Sequence, residues 1–138
     1  MDKDTVRQLI LEILQEQGEC PVKLSRPAMV QLGDQDLLQT GDVKDRAYTR
    51  DLFSLSESPR LGCGVMEIRQ SEFPWTMQYD EIDYVISGTL SVHLDSHVIT
   101  AAPGEVILIP KGSKIRFAAK DCARFLYVTY PADWKAAK

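Results

Sequence analysis

The segment Gly104-Glu-Val-Ile-Leu-Ile-Pro110-Lys-Gly112 constrains the fold more than any other part of this chain. Five strand-forming residues stand between a turn glycine and a Pro-x-Gly, so the run reads as a short β-strand held between two turns. The same texture begins at Tyr48, with short β-branched or aromatic runs punctuated by turn residues. Strands are predicted near 49–54, 62–69, 71–77, 82–87, 89–94, 97–101, 105–109, 113–117 and 123–130, with hairpin turns at Asp95-Ser96 and Pro103-Gly104. That is the pattern of an antiparallel sandwich or barrel, hence an all-β fold.

A chain of 138 residues, 44% hydrophobic and 26% charged, suits one globular domain with a short appendage. Its net charge of −4 repels a phosphate backbone, which argues against nucleic acid as a partner. Cys20, Cys63 and Cys122 are odd in number and widely spaced, as in a reduced, cytoplasmic protein. Neither a secretory leader nor a long apolar run is expected, because Arg7, Gln8, Glu12 and Gln15 interrupt the N-terminal apolar positions, so no membrane association is predicted. Val6, Leu9, Ile10, Ile13 and Leu14 recur at helical spacing, predicting an amphipathic helix over 4–17 with Asp4 available to cap it, within an N-terminal unit 1–18. Residues 19–45, rich in Pro, Gly, Asp and Gln, read as a linker or edge segment, and 46–134 as the β domain.

Together with Phe73-Pro-Trp-Thr-Met-Gln-Tyr-Asp-Glu81-Ile-Asp-Tyr-Val-Ile-Ser-Gly88, the Gly104–Gly112 segment resembles the two-part pattern of the cupin, a small jelly-roll β-barrel. The fold implied is a single cupin barrel preceded by a short amphipathic helix. Most cupins place three histidines here; this chain has Trp75, Thr76, Met77 and Gln78 in the first part and Ile115 in the second, keeping only Glu81, seven residues before Gly88. Nitrogen donors give Zn, Fe and Mn much of their affinity, so no transition metal is expected.

Glu81 and Asp83 share one face of a strand, while Asp80 and Ile82 share the other. If the acidic face points inward, repulsion and desolvation raise at least one pKa, and the pair becomes the candidate for catalysis or for holding Mg²⁺. If it points outward, the pair is a solvated strand end beside surface lysines. Trp75, Thr76, Met77, Tyr79 and Tyr127 are the candidate walls of a ligand pocket, although Trp75 also fits an ordinary core or rim aromatic. Lys111 and Lys114 are candidates for a phosphate-bearing ligand, or else solvated loop lysines. His93 and His97 flank a turn, where they either hold a metal across the hairpin or lie exposed. No phosphate-loop motif occurs, and neither Ser113 nor Cys63 has a paired base.

The Phe73–Gly88 block, followed by Ile109-Pro-Lys-Gly-Ser113 and Arg124-Phe-Leu-Tyr-Val-Thr-Tyr-Pro-Ala-Asp-Trp134, resembles the EutQ family of ethanolamine utilisation proteins. The resemblance implies a metal-independent cupin, usually a homodimer, working with a bacterial microcompartment. It also implies acetate kinase activity, with ATP as co-substrate and Mg²⁺, the lysines then meeting phosphate. Two departures stand out: the region before the barrel is short, and Ser87 occupies the position of a common Glu. The amphipathic N-terminus is similar to encapsulation peptides, which carry cargo into such compartments; a helix docked on its own barrel or across a dimer accounts for it equally. The alternative to a kinase is a non-catalytic binding or assembly module whose partners are shell or cargo proteins.

Overall fold

The computed structural model describes residues 2–138, with the side chains of 13–19 outside that description. Helix α1 spans Lys3–Glu19, and its first turn is capped by Asp2 rather than Asp4, through a 2.7 Å bond from the Thr5 N–H. Val6, Leu9, Ile10 and Leu11 are each 42–54% exposed, so this part of the apolar stripe is uncovered; Ile13 and Leu14 lie outside the described residues. Among the described residues no helix is long and apolar enough to cross a membrane.

Seven strands follow: β1 (Arg46–Asp51), β2 (Gly62–Thr76), β3 (Asp80–Gly88), β4 (Leu90–His93), β5 (Val98–Ala101), β6 (Val106–Ile109) and β7 (Lys114–Tyr130). They form one antiparallel sheet in the order β1-β2-β7-β3-β6, with β4 added to β7 and β5 to β4, and the sheet does not close. Two long strands fold it into two leaves. Gly62–Arg69 of β2 pairs with Cys122–Thr129 of β7, and its Gly64–Arg69 part also with β1, whereas Ser71–Thr76 pairs with Lys114–Ala119. The register shifts at Gln70, whose φ is +44°, and it is there that the predicted strands 62–69 and 71–77 join into one bent strand. Likewise 113–117 and 123–130 are two halves of β7. The glycines that bound the Gly104–Gly112 segment have φ of +88° and +93°, a backbone that an L side chain resists.

Between the leaves lies a single hydrophobic core. Met66, Ile68, Val85, Ile107, Ile109 and Phe125 enter it from the first leaf, and Phe73, Leu90, Val92, Ala101, Ile115 and Phe117 from the second. Each large side chain sealed there contributes about 1.5–3 kcal/mol.

Residues 26–38 form a strap across the outside of the first leaf. Two one-turn 3-10 helices, Pro27–Met29 and Asp34–Asp36, shape it. Arg124 donates from Nη1 to the carbonyls of Pro27 and Val30 at 2.8 and 2.7 Å, and Arg50 binds the Gln31 carbonyl at 3.0 Å and Asp36 at 2.8 Å. Val65, on the outward face between these anchors, is wholly buried. The strap then turns onto the edge of β1, where Leu37 bridges Tyr48 and the Leu38 N–H donates to the Ala47 carbonyl at 2.8 Å.

Candidate functional site

Strand alternation on β3 sends Glu81, Asp83 and Val85 inward and Ile82 and Tyr84 outward. With 3% and 0% exposure, Glu81 and Asp83 are no solvated strand end. Their cross-strand neighbours are Ile109 and Thr129 for Glu81, Ile107 and Tyr127 for Asp83. None of these relieves a buried charge, since the Thr129 hydroxyl donates to the Pro131 carbonyl at 3.1 Å. The two carboxyls face each other, and among the described residues no other group bonds Glu81 Oε2 or either Asp83 oxygen. Burial therefore pushes Glu81 up to about 7, and burial together with the Glu81 charge pushes Asp83 well above its usual range. The pair keeps at least one proton at neutral pH.

Rings enclose the pair. The Tyr127 hydroxyl donates to Asp51 Oδ1 at 2.6 Å and accepts from Thr49 Oγ1 at 3.0 Å, while Trp134 Nε1 donates to the same Asp51 oxygen at 3.1 Å. Gly64, opposite Tyr127, makes room for the phenol: a Cβ there would lie 2.1 Å from the ring. Trp75 Nε1 donates to the Tyr79 hydroxyl at 2.8 Å, and Tyr79 and Tyr127 both pack on Trp134, with ring centroids 5.8 and 5.7 Å away. Burial raises both tyrosine pKa values, so the phenols stay neutral and act as donors.

Above this wall opens a cavity of about 460 Å³, bounded by Trp75, Thr76, Gln78, Tyr79 and Thr49, by strap residues Gln35–Gln39, and by Trp134, Lys135 and Ala137 of the C-terminal tail. Its size suits a small organic ligand. Trp75, Thr76 and Tyr79 thus reach the cavity as the sequence suggests. Glu81 and Asp83 do not line it; Tyr79 stands between, lining the cavity and feeling the charge of both acids. Met77 is a core residue, and Tyr127 lies behind Trp134. Lys111 and Lys114 are exposed. Their loop is tied to the mouth through the bond from the Gly112 N–H to the Met77 carbonyl, and Lys114 is the cross-strand partner of Thr76.

Several lining or supporting groups carry no motif. Thr49 and Asp51 had only their alternation on a strand to signal a shared face, and Trp134 and Lys135 lie in a tail beyond Pro131. Lys135 stands 5.3 Å from the Trp134 ring and brings a cation to the rim. The histidines do not converge: His93 faces Glu72 at 3.4 Å, a carboxylate also bound by Arg116, and His97 bonds Ser96 at 2.8 Å.

Among the described residues no group of three or more His, Cys, Asp or Glu could hold a metal. Glu81 and Asp83 fit Mg²⁺ poorly, because this ion demands six oxygens and keeps most of its waters, whereas the pair offers three free oxygens among apolar side chains and rings.

The family model described as "Ethanolamine utilisation protein EutQ" matches residues 1–136. A relative from Clostridioides difficile named acetate kinase EutQ is 46% identical over 97% of this chain and 94% of its own length. One of the same name from Salmonella typhimurium is 41% identical over 62% of this chain, which spans only 38% of that longer protein. The solved structure of the Clostridium difficile EutQ protein aligns with a TM-score of 0.80 at 54% identity, covering 83% of each chain. A cupin domain of an Enterobacter cloacae transcriptional regulator, 16% identical with a TM-score of 0.53 over 61% of this chain and 95% of that one, shares the fold alone.

Proposed function

This chain belongs to the EutQ family of ethanolamine utilisation proteins, and from that premise we propose that it is an acetate kinase, transferring the γ-phosphoryl group of ATP to acetate. An acetate oxygen forms the new bond to γ-phosphorus as the bond to the β,γ-bridging oxygen breaks, giving acetyl phosphate and ADP. Such transfers depend on positioning and on cations around the phosphates. The observation that supports it most is the correspondence along nearly the whole chain to a relative that bears this name. The cavity adds what a nucleotide needs, an aromatic wall of Trp75, Tyr79 and Trp134 with Lys135 on its rim and Lys114 beside Thr76. Any Mg²⁺ required arrives with ATP as part of the substrate. Glu81 and Asp83 hold a proton behind the wall and act through Tyr79 as positioning residues. The enzyme works in the cytoplasm at a bacterial microcompartment.

Trapping acetyl phosphate as its hydroxamate, with ATP, Mg²⁺ and acetate supplied, tests this. Turnover is expected, with KM for ATP raised about tenfold or more in Trp75→Ala through loss of a stacking partner. No hydroxamate from the unaltered protein would refute it.

A second reading has its own support in the uncovered Val6, Leu9, Ile10 and Leu11 of α1. On that view the chain is a non-catalytic module whose helix engages shell or cargo proteins. A fluorescent protein carrying residues 1–18 should then concentrate in assembled shells; diffuse signal would dismiss the idea.

A further inference from the structure

The two phenols beneath the cavity differ in what they do with their protons. Tyr127 donates to Asp51 Oδ1 at 2.6 Å, whereas the Tyr79 oxygen accepts from Trp75 Nε1 at 2.8 Å, and among the described residues its own proton meets no acceptor. Tyr79 lines the cavity while only 3% exposed. A neutral phenol pinned by an indole N–H in this way has its proton left for a ligand's acceptor.

The same ring separates the cavity from Glu81 and Asp83 and feels the charge of both. The groups that face the pair cannot neutralise it: Ile107 and Ile109 of β6, Tyr127 and Thr129 of β7, Tyr79 of β3 and, behind Tyr127, Thr49 and Asp51 of β1. Among these the charged group is Asp51, itself an acid. Of the charged groups that line the cavity, Asp36 is held by Arg50 at 2.8 Å and Lys135 lies at the rim over the Trp134 ring.

We propose that the cavity takes a carboxylate against the Tyr79 hydroxyl, and that the Glu81–Asp83 pair gains a proton as it binds. Without that proton the pair carries its charge one ring away from the ligand's, and two like charges so placed inside a protein cost about tenfold or more in affinity. With it, the two carboxyls bond each other and the floor of the cavity is neutral. A carboxylate suits this floor better than a phosphate, because the donors there are uncharged and a doubly charged group needs cations around it, which Lys135 supplies only at the rim. The identity of the carboxylate rests on the kinase reading above, which makes it acetate.

Trp75 and Trp134 are the two tryptophans of the chain and both line the cavity, so their emission reports acetate binding with no ATP present. Acetate stays ionised from about pH 6 to about pH 8.5, and over that range its affinity for the unaltered chain should fall about tenfold or more as the pair loses its proton. Acetamide, of the same shape and uncharged, should bind without that decline. Glu81→Gln combined with Asp83→Asn should bind acetate with an affinity that no longer depends on pH, and Tyr79→Phe should weaken binding about tenfold or more at every pH, with circular dichroism showing both folded. Calorimetry near pH 7.5 in buffers of different ionisation enthalpy should show net proton uptake when the unaltered chain binds acetate, a readout that needs no variant. No binding of acetate, an affinity constant across the range, no proton uptake, a folded acid-pair variant that keeps the decline, or a folded Tyr79→Phe that binds as tightly would each overturn the proposal. Proton-linked acetate binding in a chain that forms no acetyl phosphate would uphold it while refuting the kinase reading, and turnover with pH-independent acetate affinity would do the reverse.

Discussion

The two leaves share β2 and β7, yet they enclose different chemistry. Inside the second leaf Phe73, Leu90, Val92, Ile115 and Phe117 meet with no buried charge among them. Inside the first, Thr49, Glu81, Asp83, Tyr127 and Thr129 occupy equivalent inward positions. One half therefore supplies stability by burying hydrocarbon, and the other gives up part of that gain to hold two acids and two phenols under a cavity. Strand alternation permits either content, so the site costs stability locally without disturbing the sheet. The largest test of this contrast lies in the dry half. Phe117 is 1% exposed and packs on Phe73 at 5.8 Å and Phe125 at 6.2 Å, so Phe117→Ala should cost about 3–5 kcal/mol in urea unfolding. A cost under about 1 kcal/mol would mean that the second leaf is not the stabilising half.

In the wet half the stability depends on pH. Glu81 rises from an ordinary 4.5 to about 7 on folding, so the folded state holds a proton that the unfolded chain has released. Its contribution is fully present below pH 4.5 and is lost as pH climbs through about 7, and the coupled Asp83, raised as well, adds to the same decline. Glu81→Gln should flatten this decline in denaturant titrations at several pH values. Equal slopes in the two proteins would place the titrating proton elsewhere.

Much of the dry half was legible in the sequence, because alternation and turn residues are local signals. Gly104, Gly112 and the runs around them mark strand ends directly; in the other half the direction of Glu81 and Asp83 was open from alternation alone, and only the resemblance to a cupin, with Glu81 seven residues before Gly88, pointed inward. The continuity of β2 and β7 was not legible, since a bend at Gln70 looks like a strand end. The cavity was only half legible. Trp75, Thr76 and Tyr79 sit within one block, but Gln35–Gln39 and Thr49 lie 85–99 residues before Trp134 in the chain and meet it only through tertiary contacts. A linker-like composition over 19–45 likewise concealed a strap, whose order comes from two arginines on distant strands, Arg50 and Arg124.

Asp51 sharpens the contrast at its smallest scale. It is exposed and carries no motif, yet one of its oxygens receives both the Tyr127 hydroxyl and the Trp134 indole N–H. Removing that acceptor leaves two buried donors unmatched, and because the site is partly open to water the loss should be about 1–2 kcal/mol in Asp51→Ala, well below that for Phe117. The chemistry should respond more than the stability does. Trp134 touches Tyr79, Tyr127 and the cavity together, so freeing its nitrogen lets the floor of the cavity shift. In a Trp75→Phe background, which leaves one of the two tryptophans, emission from Trp134 should move to the red in Asp51→Ala and stay in place in Phe117→Leu. An unshifted spectrum would show that ring packing alone holds Trp134, and that the polar network beneath the cavity is a consequence of the aromatic wall rather than its support.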